Sequence, residues 1–70
     1  MELLVKRAIL DALAARYEAQ IAEADATVKI FLENSVGIGE HPQHIDEMDK
    51  LFDKISTARE KLKEVEKWMI

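Results

Sequence analysis

The fold is decided by residues 48–69, MDKLFDKISTAREKLKEVEKWM, in which apolar residues recur at alternating spacings of three and four. Every position of this series is apolar: Met48, Leu51, Ile55, Ala58, Leu62, Val65 and Met69. This spacing is the heptad pattern of a helix that packs lengthwise on another helix, and most positions between are charged. The stretch predicts a helix over about 42–69.

A second stripe with the same spacing lies in the first half of the chain. Residues 2–34 contain neither glycine nor proline, and the stripe runs from Leu3 to Phe31 with only Arg7 as a polar member. It predicts a helix over about 2–34, followed by a loop over about 35–41. Because so short a loop turns the second helix back along the first, the chain is predicted to be one all-α domain over 1–70, an antiparallel two-helix hairpin.

Apolar side chains outside the two stripes are too numerous for a hairpin to cover. A small chain of this kind usually needs further burial, and large exposed apolar patches mark interaction sites. We therefore predict self-association into a four-helix bundle or a larger helical oligomer, with a face for a different protein as the alternative. The predicted interaction residues are Leu4, Ile9, Leu13, Val36, Ile38, Phe52 and Trp68.

Charge and composition narrow the classes of partner. The net charge of −4 disfavours a phosphate-backbone binder, so nucleic acid is an unlikely partner. No uncharged stretch is long enough for a membrane span, and the start lacks the form of a signal peptide, so a cytoplasmic location is expected. The absence of cysteine excludes disulfides and thiolate metal sites.

The segment NSVGIGEHPQHIDE, residues 34–47, is the one place where chemistry is conceivable. His41 and His44 are spaced as on one face of a helical turn, and with a carboxylate such a pair binds zinc when a second chain completes the site. The full Gly-rich phosphate motifs are missing, so the segment is first a turn: a glycine ends one helix and Pro42 starts the next. No catalytic residues and no cofactor are predicted.

Residues 31–66, FLENSVGIGEHPQHIDEMDKLFDKISTAREKLKEVE, resemble short, uncharacterised helical-hairpin proteins encoded by tailed bacteriophages. In these proteins an Asn-x-Val-Gly-Ile-Gly-Glu-His-Pro-like turn joins a helix to a second, charged helix. The resemblance implies a phage origin and a bacterial host cytoplasm, but it carries over no activity. It suggests an accessory, assembly or host-protein-binding factor.

The sequence thus predicts a non-enzymatic helical protein that acts through self-association and protein–protein contact. The alternative is a metal-binding or enzymatic module centred on His41 and His44.

Overall fold

A computed structural model of the chain describes residues 2–33 and 43–70. These residues form two α-helices, α1 (Glu2–Glu33) and α2 (Gln43–Trp68), and neither range contains a strand. Both helices lie where the two stripes predict them, so the all-α, two-helix prediction is confirmed for the described residues. The loop predicted over about 35–41 lies outside them.

Local sequence explains why both segments are helical. Eight alanines fall between positions 8 and 26 of α1, and alanine has the highest helix propensity of all residues. Lysine and glutamate dominate α2 and also favour helix. Glu2 lies in the first turn of α1 and Lys67 in the last turn of α2, where their charges interact favourably with the helix dipoles.

The two helices pack antiparallel along their length. Near the start of α1, the Arg7 guanidinium reaches the Met69 carbonyl at the end of α2. Near the end of α1, the Phe31 ring lies 5.8 Å from the His44 ring at the start of α2. As the residue number rises along α1, the number of the contacting residue in α2 falls. The two helices therefore run in opposite directions.

The core is a single seam between the helices. Ala24 and Val28 of α1 are buried, as are Ile55 and Ala58 of α2, and three half-buried side chains pack around them: Ile21, Met48 and Leu51. The seam follows the predicted stripes, and only Leu3 and Arg7 among the stripe positions are exposed. The apolar pattern of the sequence therefore correctly predicts which face of each helix is covered.

The hairpin is a thin rod. It measures 56 × 15 × 14 Å, and its radius of gyration is 16.3 Å, whereas a compact 70-residue chain has a radius of about 11 Å. No large side chain is fully buried among the described residues. Neither described helix combines the length and the apolar character that crossing a bilayer requires.

Candidate interaction surface

Large apolar side chains gather at the end of the rod where α1 begins and α2 ends. We name this group the N-terminal apolar patch, and all of its members are exposed: Leu3, Leu4, Val5, Ile9, Trp68 and Ile70. Trp68 is 72% exposed and Leu4 is 74% exposed, so the partner helix covers little of either side chain. Two of the predicted interaction residues from α1, Leu4 and Ile9, thus lie on the same part of the surface as Trp68.

Both helices contribute to a depression within this patch. An open hollow of about 590 Å³ is lined by Leu4 and Leu10 of α1 and by Trp68 and Met69 of α2, among others. A smaller hollow of about 190 Å³ beside it brings Lys6, Ile9 and Leu10 next to Trp68. The lysine stem adds apolar surface there while its charge reaches water.

The side of α1 that faces away from α2 is also uncharged over most of its length. A series of exposed positions begins at Val5 and continues at alternating spacings of three and four. The next six positions of this series are all alanine: 8, 12, 15, 19, 22 and 26. We name these seven positions the outer face of α1. The sequence prediction named no alanine among its interaction residues, because it counted large apolar side chains outside the stripes; the second series of heptad spacings would have revealed the alanines.

The outer face of α2 has the opposite character. The corresponding positions, which point away from α1, are charged almost throughout: Asp49, Lys50, Asp53, Glu60, Lys63, Glu64 and Lys67. Among them lies an open hollow next to Phe52, which is 55% exposed. The outer face of α2 is therefore charged, whereas the outer face of α1 is not.

A second, smaller apolar group lies at the other end of the rod. Its four described members are all more than half exposed: Ile30, Leu32, Ile45 and Phe52. The predicted interaction residues Val36 and Ile38 belong to the segment between the helices and lie outside the described residues. Leu13 is the exception among the described candidates, because it is half-buried beside the seam.

Of the two histidines predicted as a weak metal-binding pair, only His44 lies in the part of the chain that the structure describes. His44 is half-buried, and its ring packs edge-on against Phe31 with an interplanar angle of 66°. His41 lies outside the described residues. Within residues 2–33 and 43–70, no cluster of three or more His, Cys, Asp or Glu side chains is arranged to hold a metal ion.

The ion pairs that the structure shows join neighbours on the same helix. Arg7 pairs with Asp11 at 3.2 Å, and Lys29 pairs with Asp25 at 2.9 Å. The hydrogen bond and the charge of Asp25 raise the pKa of Lys29 above its ordinary value. Exposed pairs of this kind add only a few tenths of a kcal/mol each to helix stability, and they do not fix one helix on the other.

No protein-family model matches the chain, and no curated protein or solved structure is significantly similar to it.

Proposed function

We propose that this chain acts through protein–protein contact, and that its first partner is a second copy of itself. One observation carries the proposal: among residues 2–33 and 43–70, four hydrophobic residues are buried, while ten large apolar side chains are more than half exposed. Fully burying one such side chain contributes about 1.5–3 kcal/mol, so a partner that covers several of them adds several kcal/mol to the stability of the fold.

The accessible surface supports the same proposal. The chain exposes 5752 Å², whereas a compact monomer of its mass, 8.0 kDa, exposes about 4,450 Å². The excess is roughly 1,300 Å², and a stable interface of standard size removes about 800 Å² from each partner. A second chain would therefore remove more than half of this excess surface.

The identity of any further partner rests on the sequence resemblance alone. If the chain is phage-encoded, the assembled form would act as an accessory or assembly factor, or it would bind a protein of the bacterial host. No comparison bears on that resemblance, so the phage origin stays a hypothesis. The exposed apolar residues supply a contact surface in either setting, and nothing in the proposal requires catalysis.

Thermal unfolding followed by circular dichroism tests the proposal. If folding is coupled to association, the melting temperature rises with chain concentration, so we expect a clear increase between about 2 μM and about 200 μM. A melting temperature that stays constant over this range, for a fully helical chain, would contradict self-association.

A further inference from the structure

The four long sides of the hairpin differ in what they offer a second copy. The outer face of α2 is charged along its length. One lateral side carries an acidic row from α1, namely Asp11, Glu18 and Asp25, and the other carries Lys54 and Lys61 from α2. Only the outer face of α1 carries no charge over most of its length, from Val5 to Ala26; the same series then continues into Lys29 and Glu33.

Closing two hairpins into a compact four-helix bundle would bury one of the lateral sides. On the basic side, the Lys61 ammonium lies 5.7 Å from the centre of the Tyr17 ring, and Lys54 lies two turns away along α2. On the acidic side, Asp11 and Asp25 are paired with Arg7 and Lys29. Removing ions from water is costly even when they are paired, so the lateral sides are poor centres for an interface. Pairing through the outer face of α1 buries no charge at its centre.

The outer face of α1 also has the right dimensions. From Val5 to Ala26 it runs for about 32 Å along the helix, and its alanines let a second helix approach to about 8 Å between axes. At one end it joins the N-terminal apolar patch, whose large side chains supply area that alanines lack. Together they form one continuous apolar strip on a single side of the rod.

The charged residues that border this strip indicate the direction of pairing. One border carries Leu4 and the acidic row; the other carries Ile9, Arg16 and Glu23. In an antiparallel helix pair, each border lies opposite the same border of the second copy, so the acidic row would face the acidic row of the second copy. In a parallel pair the two borders meet, with residue i opposite residue i+5 of the second copy.

Parallel pairing makes two favourable matches in each half of the symmetric contact. Leu4 faces Ile9 of the second copy, and Asp11 faces Arg16 of the second copy. Arg16 has no ion-pair partner among the residues that the structure describes, and the Asp11 carboxylate can accept from it as well as from Arg7. One match is repulsive, since Glu18 faces Glu23, and Asp25 faces Ile30, which offers the carboxylate no partner.

We infer that two copies of this chain pair in parallel through the outer face of α1 and the N-terminal apolar patch, with α2 on the outside of each. The inference rests on the proposed self-association and specifies its surface. The dimer is a flat row of four helices rather than a closed bundle. Trp68, which adjoins Ile9, lies at the edge of this interface and is partly covered by the second copy.

Cysteine cross-linking tests this arrangement directly, because the chain has no cysteine of its own. Three single variants suffice: Ala12→Cys and Ala19→Cys on the outer face of α1, and Ser56→Cys on the outer face of α2 as the matched control. Sedimentation of each reduced variant first establishes that it associates as the unmodified chain does.

In the parallel dimer both alanine positions lie next to their own copies. Under mild oxidation we expect both α1 variants to form disulfide-linked dimers about tenfold or more faster than Ser56→Cys, because the interface holds the thiols together. If only one of the two is fast, the pairing is antiparallel and the inference is wrong. If the variants associate but neither exceeds the control, the inference is wrong, because the copies then use another face or pair antiparallel with Ala12 opposite Ala19; the proposed function stands in either case.

A further variant tests the direction of pairing, because it is expected to strengthen association rather than weaken it. Glu23→Lys replaces the unfavourable match with an ion pair between Glu18 and the introduced lysine of the second copy. Two such pairs by symmetry should tighten association by about threefold at low salt. Unchanged or weaker association of Glu23→Lys would contradict the parallel arrangement.

Discussion

Arg7 Nη1 donates a 2.8 Å hydrogen bond to the main-chain carbonyl of Met69, and this contact joins the first turns of α1 to the end of α2. Carbonyls in the last turn of a helix lack partners within the helix, and a cation there is favoured by the helix dipole. The one polar interruption of the α1 stripe therefore has a structural role. It closes the end of the rod at which the seam carries no buried side chain.

Replacing Arg7 with Met should destabilise the hairpin. The apolar stem is kept, but the donor to Met69 is lost, and the side chain is more than half exposed, so we expect a cost of about 1 kcal/mol. In a domain of this size, that cost lowers the melting temperature by about 4–8 °C. Arg59→Met removes an exposed arginine from α2 and serves as the control. A melting temperature equal to or above the original would show that the added apolar surface outweighs the hydrogen bond.

Ile55 is the largest buried side chain of the seam, and its truncation should be the most damaging in α2. It is 6% exposed and packs with Ala24 and Val28 across the helix interface. Ile55→Ala should cost about 2–5 kcal/mol, whereas Ile55→Val should cost about 0.5–1.5 kcal/mol. Urea unfolding measures both, with Lys54→Ala on the exposed side as the control. Equal stability of Ile55→Ala and Lys54→Ala would refute the assigned seam.

Zinc should not stabilise the protein. His44 packs on Phe31, and within the described residues no third ligand accompanies it. We expect equimolar zinc to leave the melting temperature unchanged within error, since a ligand that binds the folded state raises it. A clear rise that is abolished in His44→Ala would favour the metal-binding alternative over the proposed function.

The emission of Trp68 should report association, because it is the one tryptophan of the chain and is 72% exposed in the hairpin. As the chain concentration rises through the association range, we expect its emission to shift to shorter wavelength as the second copy excludes water from the ring. Ile9→Lys, which places a charge in the proposed interface, should abolish this shift, whereas Thr57→Lys on the outer face of α2 should not. A fixed emission maximum during association would place Trp68 outside the interface.

The sequence predicts the helices and their buried faces because heptad spacing directly encodes a lengthwise contact. Both stripes coincide with the covered faces. The match includes Ala24 and Ala58, which are buried although alanine is too small to indicate a core position by its hydrophobicity alone. The exception at Arg7 could not be explained from sequence, since its acceptor is a main-chain carbonyl 62 positions away.

The candidate surface was less predictable than the fold. Leu4, Ile9, Phe52 and Trp68 were identified as surplus apolar residues and are exposed, but Leu13 proves to be half-buried. Spacing by three and four does not reveal how far a residue next to the seam is shielded by the partner helix. The alanines of the outer face were overlooked for a different reason: alanine occurs in helices for its propensity, and its role in close packing shows only when the helix face is oriented.

We propose that the hairpin completes its fold by pairing with a second copy. Sedimentation equilibrium on the unmodified chain decides whether this pairing occurs, because it reports mass without any assumption about shape. We predict a mass twice that of the 8.0-kDa chain at micromolar concentration. A single 8.0-kDa species that remains fully helical at every concentration would contradict the claim.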